Sequence, residues 1–168
     1  MRVAVLYLAT CISVCCCAQN RSDPLKLSNE KVLHAKRDIL RARGTAALDT
    51  EYAREKAGRM NECPDANDTV SINKCMDEEF ATTQKNYLAY LRSIGALLRL
   101  DDIAEPSAVK QLDRAELSWT AYREAQCSAY QHLDPGSIQI FNYETCRLEL
   151  TRRHMHELEG LYGKDLWE

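Results

Sequence analysis

The side chains with the most chemistry to offer in this 168-residue chain are its eight cysteines, and they fall into two groups. Cys11, Cys15, Cys16 and Cys17 crowd an apolar N-terminal run, while Cys63, Cys75, Cys127 and Cys146 are spread through a polar, charge-rich remainder. Zinc and similar metals take thiolates in close pairs such as C-x-x-C. The four later cysteines are separated by eleven, fifty-one and eighteen residues, and His34, His132, His154 and His156 add no ligand cluster beside them. An even number of well-spaced cysteines in an exported chain reads as disulfides, so two bridges and no metal are expected.

Catalysis finds less support. Glycosidase-type hydrolysis needs two carboxylates held across a cleft, whereas Asp77-Glu78-Glu79 and Asp101-Asp102 are adjacent runs that belong on solvated faces. Serine, histidine and aspartate occur without a nucleophile turn, and no glycine-rich loop offers backbone amides to a phosphate. The expectation is a protein that is not an enzyme and uses no cofactor.

The chain opens with Arg2, continues through an almost wholly apolar run to Cys17-Ala18, and then turns polar at Gln19-Asn20-Arg21. That order is the pattern of a secretory signal peptide, and the run is too short for a permanent membrane span. Residues 1–18 are therefore expected to be removed before Gln19, which places the protein in the periplasm or outside the cell. A lipid anchor on a leader cysteine is the less favoured alternative, because Leu8-Ala9-Thr10 before Cys11 and Val14 before Cys15 are poor processing sites. Loss of Arg2 leaves 21 basic against 25 acidic residues, a net charge of −4. A nucleic-acid partner calls for a basic face instead, so a protein partner is expected.

The remaining residues carry helical periodicity throughout, with neither strand alternation nor an internal repeat. Residues 19–27 read as a flexible leader and 28–59 as an additional N-terminal helix, with Gly44 as a soft spot or break near its middle. Cys63 to Thr69 is a turn of capping and helix-breaking residues. A second helix then runs from about Ser71 to Leu100, a third from about Ala108 to Leu133, and a fourth from about Ile140 to Leu161, leaving 162–168 as a tail. The fold class is all-α: an antiparallel bundle of about four helices. Cys63 precedes the second helix and Cys75 sits near its start. Antiparallel third and fourth helices joined at Asp134–Ser137 bring Cys127 level with Cys146. The pairing expected from this placement is Cys63–Cys75 and Cys127–Cys146.

One segment is more specific than the rest. Ala115-Glu116-Leu117-Ser118-Trp119-Thr120-Ala121-Tyr122-Arg123-Glu124-Ala125-Gln126-Cys127 is followed by Gly136-Ser137 and then by Cys146-Arg147-Leu148-Glu149-Leu150-Thr151-Arg152-Arg153-His154. Together with Cys63, Ala66, Thr69 and Cys75, this order resembles the LprI-type lysozyme-inhibitor family over residues 60–161. The sequence departs from the family pattern in three places: Glu116 stands where glutamine is usual, His154 where a second arginine is usual, and the family's Leu-Asn pair before a tyrosine in the second helix is not clean around Asn86–Tyr90. The resemblance implies an exported inhibitor that blocks the active-site cleft of a lysozyme, with a c-type lysozyme as the first candidate partner. An envelope interaction module without inhibition is the alternative, and an exposed apolar face on residues 28–59 would favour it. Trp119 and Tyr122 at helical spacing read first as core, and Arg123 as the partner of a nearby acid or carbonyl. Thr151 and Arg152 read as similar locks on the last helix. The turn at Asp134, Gly136 and Ser137, stapled by the second disulfide, is the expected partner-binding element, because a pre-organised turn loses little entropy on binding.

Overall fold

The computed structural model describes residues 24–58, 62–100, 105–133, 135–136 and 138–167, so the leader at 1–18 lies outside the described residues. Four helices account for nearly all of them: α1 (Pro24–Gly58), α2 (Thr69–Leu100), α3 (Ala108–Gln131) and α4 (Ile138–Trp167). No strand occurs among the described residues, and the two disulfides join Cys63 to Cys75 and Cys127 to Cys146, with Cα separations of 6.1 and 5.5 Å. The all-α bundle and both pairings are thus as the sequence led us to expect.

Local chemistry explains the helix boundaries. Pro24 opens α1, a position where its missing N–H costs nothing. The helix therefore begins four residues before Ser28 and takes in the last part of the expected leader. It also runs unbroken through Gly44, contrary to the expected soft spot. Gly44, Ala47, Leu48 and Glu51 fall at steps of three and four and are all buried, so Gly44 is one position of a packed stripe rather than a hinge. At α2, the Asp68 carboxylate accepts from the amides of Val70 and Ser71 at 2.8 and 2.9 Å, an N-cap that holds its carboxyl below the usual range. Between α3 and α4 the backbone at Gly136 takes φ +88°, a left-handed conformation that favours glycine. Helix α4 continues to Trp167, through most of the expected tail.

Helix α2 is the hub and packs against each of the other three, while α1 and α3 do not meet among the described residues. The main core gathers Ala47 and Leu48 from α1, Tyr87, Tyr90, Ile94 and Leu97 from α2, Leu112 from α3, and Met155 and Leu158 from α4. A smaller cluster of Cys63, Met76 and Leu148 seals the end near the first disulfide. The bridges span 12 and 19 residues, and closing loops of that length stabilises the fold by about 3 kcal/mol each on an entropic argument.

Candidate functional site

The family-like motif of α3 and α4 turns mostly inward. Arg123 is 3% exposed. Its Nη1 donates to Gln84 Oε1 at 2.7 Å and Thr151 Oγ1 at 2.9 Å, while Nη2 meets Glu124 at 2.8 Å. The guanidinium also lies 5.0 Å from the Trp119 ring centroid and 5.2 Å from that of Phe80. The Thr151 hydroxyl in turn donates to the Arg147 carbonyl at 2.7 Å. Arg123 therefore ties α3 to α2 and α4 at a single point. Burial pushes the Glu124 carboxyl up, but hydrogen bonds from Tyr143 and Arg123, with the charges of Arg147 and Arg123, hold it below the usual carboxylate range.

Arg152 performs the same task between α4 and α1. Its Nε donates to Glu51 Oε1 at 2.9 Å and its Nη1 to Glu62 Oε1 at 2.5 Å, with Glu79 at 3.9 Å. Glu51 is 1% exposed and also accepts from Thr83 at 2.6 Å and Asn86 at 2.9 Å. Desolvation raises its pKa, but these hydrogen bonds and the Arg152 charge outweigh it and leave the carboxyl ionised below its ordinary range. A carboxylate buried this deeply is tolerated only because it is fully bonded.

Glu116 and His154, two of the positions expected to differ from the family pattern, meet each other. Glu116, buried on α3, lies 3.0 Å from His154 Nε2 on α4 and accepts from the Tyr87 hydroxyl at 2.5 Å. The His154 ring stacks on Trp119 at 4.0 Å between centroids and 10° between planes. The Glu116–His154 pair thus makes the α3–α4 contact polar and bonded here.

Trp119 packs against the main core, as its spacing suggested. Tyr122 does not: it is 56% exposed. Helix α3 buries Leu112, Glu116, Arg123 and Cys127, and a residue beside Arg123 along the chain is turned about 100° away from that face. The assignment of Tyr122 to the core is therefore corrected. It starts an exposed stripe through Ala125, Gln126, Ala129 and Leu133 that leads straight into the stapled turn. Of the turn's three expected binding residues, Gly136 is exposed, while Asp134 and Ser137 lie outside the described residues. Leu133, Ile138 and Ile140, which flank it, are 70%, 47% and 50% exposed. Cys127, of the disulfide that staples the two helices, is fully buried.

Two grooves flank the first disulfide. The larger, 390 Å³, is lined mainly by Cys63, Ala66, Ile72, Met76 and Phe141; the smaller, 270 Å³, lies between Arg54, Gly58 and Pro64. The carboxylates at their rims, Glu62 and Glu79, are engaged by Arg152 and Arg54. Among the described residues no group of three or more His, Cys, Asp or Glu side chains could hold a metal, and no helix is long and apolar enough to cross a membrane.

Apart from Glu124 beside Arg123, the partners of Arg152 and Arg123 were not legible beforehand, because they lie on other elements at separations of 28 to 101 residues. Glu51 did carry a signal: an acid on the same stripe as Ala47 and Leu48.

The chain is 29% identical over 108 residues to an uncharacterised protein, R02472, of Rhizobium meliloti (strain 1021), a match spanning 60% of this chain and 78% of that relative. No solved structure matches it. The family model described as "Lysozyme inhibitor LprI" matches residues 60–158, which hold both disulfides, Arg123, Thr151, Arg152 and the Glu116–His154 pair. The chain therefore belongs to the LprI lysozyme-inhibitor family.

Proposed function

We propose that this protein is an exported, non-catalytic inhibitor of lysozyme, and that it blocks the enzyme's cleft with the stapled α3–α4 end. Family membership supports the partner class. The observation that carries the placement is the exposed set of Tyr122, Leu133, Gly136, Ile138 and Ile140 together with the buried Cys127 of the second disulfide. Aromatic and aliphatic side chains on a clamped turn can enter a cleft at little entropic cost. Outside residues 24–43 the chain is acidic, which speeds encounter with a basic lysozyme. The apolar leader and the two disulfides support export. Titrating oxidised residues 19–168 into a turbidity assay of lysozyme-driven cell-wall lysis tests this reading. Concentration-dependent inhibition of a c-type lysozyme, lost on reduction, is expected. A folded protein inactive against c-, g- and i-type lysozymes would contradict it.

A second reading, an envelope interaction module, is favoured by one observation: the exposed Val32 and Ile39 on α1, outside the family-matched residues.

A further inference from the structure

The first half of α1 carries an apolar face that stays exposed among the described residues. Leu25, Val32 and Ile39 recur every seven residues and are 74%, 52% and 52% exposed. Ala35, Ala42 and Ala46 are exposed beside them. Seven residues make nearly two turns, so these side chains form one stripe, about 130° around the helix from the buried Gly44–Ala47–Leu48–Glu51 face. The stripe also runs past the bundle. Arg37 Nη2 donates to the carbonyl of Leu100, the last residue of α2, at 2.6 Å. Residues before Arg37 therefore extend beyond the helix that α1 packs on, and every described side chain from 25 to 32 is exposed.

Charge separates this arm from the rest of the chain. Residues 24–43 hold six basic groups, Lys26, Lys31, Lys36, Arg37, Arg41 and Arg43, against Glu30 and Asp38, a net of +4 in a chain whose total is −3. The remainder accordingly carries −7. Lys36 and Arg43 fall along one edge of the stripe, and Lys31 beyond the other.

This charge pattern decides what the stripe fits. A second copy would lay one +4 arm against another. In a parallel coil with Val32 and Ile39 in the seam, Lys31 of one arm faces Lys36 of the other. Three large apolar residues, with only serine or alanine at the intervening seam positions, also fall short of a sustained coiled-coil seam. A line of apolar side chains flanked by long basic ones is instead the chemistry of a helix lying in a membrane interface. The stripe enters the headgroup–acyl boundary, and lysine and arginine heads snorkel to anionic headgroups.

We propose that the first part of α1, residues 24–43, whose stretch before Arg37 overhangs the bundle, is a docking site for an anionic phospholipid surface. Leu25, Val32 and Ile39 insert, Lys31, Lys36 and Arg43 contact headgroups, and the acidic bundle faces away from the membrane. This inference stands on α1 alone and does not depend on lysozyme inhibition, so each can fail without the other.

Vesicle flotation with oxidised residues 19–168, which contain all four helices, tests it. Vesicles of phosphatidylcholine with about one-third phosphatidylglycerol should bind at least about tenfold more tightly than phosphatidylcholine alone, and 0.5 M salt should abolish the difference. At about fivefold per basic group near the surface, Lys31→Gln with Lys36→Gln and Arg43→Gln should weaken binding by roughly a hundredfold. Val32→Asn with Ile39→Asn should release the protein from vesicles while its thermal melt stays unchanged, whereas Leu161→Asn, exposed on α4, should bind as wild type. Equal binding to both vesicle types, no vesicle binding by folded protein, or arm variants that bind as wild type would overturn the proposal. So would a dimer in sedimentation that Val32→Asn with Ile39→Asn dissociates, because the stripe would then belong to a second copy.

Discussion

The two halves of α1 share one continuous helix and almost nothing else. From Gly44 to Gly58 it is built into the bundle: Ala47 and Leu48 are core, Glu51 is bonded to Thr83, Asn86 and Arg152, Arg54 pairs with Glu79, and Tyr52 bonds Glu159. From residue 25 to Lys36 every described side chain except the half-buried Leu33 is exposed, Leu25 and Val32 among them. The same backbone geometry is thus held by tertiary packing in one half and by its own hydrogen bonds in the other. Isolated helices of about a dozen residues are marginal in water, so the first half keeps its form as a continuation of an anchored helix. Burial in one half and exposed basic and apolar surface in the other separate the part that makes the fold from the part that meets something else.

That contrast is sharpest at its buried charges. Arg152→Ala leaves Glu51 ionised, buried and without its main partner. A loss of about 3–5 kcal/mol in urea unfolding is expected. The double change Glu51→Leu with Arg152→Met should recover most of it, because neither charge is then left alone. A loss under 1 kcal/mol for Arg152→Ala would mean that the second half of α1 is not anchored through Glu51.

Core truncation comes next. Leu48→Ala should cost about 2–5 kcal/mol, while Val32→Ala, sixteen residues earlier on the same helix, should stay within about 0.5 kcal/mol. Comparable losses at both sites would erase the distinction. Opening the second disulfide by Cys127→Ala with Cys146→Ala should cost about 3 kcal/mol and leave the first half of α1 unaffected by hydrogen exchange.

The smallest effect is one of pH. Glu51 and Glu124 titrate below the ordinary carboxylate range in the folded state. Folded values below unfolded ones supply stability that is fully present above the unfolded pKa and is lost as pH falls through the folded one. Denaturant midpoints should therefore decline below about pH 4.5. Glu144, raised by burial, works in the opposite direction and blunts that decline. Glu51→Gln should flatten it further, and an unchanged acid limb in that variant would assign the pH dependence elsewhere.

Local signals carried much of this in advance. Helical periodicity, the capping run before α2 and the placement of four cysteines were enough for the helix order and both disulfides. Boundaries were less legible where helices simply continue, as α4 does past Leu161 and α1 does before Ser28. Gly44 misled because its intrinsic helix penalty was read without the packing that surrounds it. Tyr122 misled because helical spacing gives a face only approximately, and Arg123 next to it took the inward direction. The Arg152–Glu51 and Glu116–His154 pairs join residues 101 and 38 positions apart, which no spacing rule reaches.

The central claim is that a lysozyme meets the stapled α3–α4 end and not the α1 arm. The most direct test compares two variants in the lysozyme turbidity assay, both first shown to melt as wild type. Tyr122→Ala with Leu133→Asp should raise the concentration needed for half-inhibition at least about tenfold, in line with loss of an aromatic anchor. Val32→Asn with Ile39→Asn should leave it unchanged. Inhibition retained by the first pair and lost by the second would contradict the account, and would move the inhibitory surface to the arm.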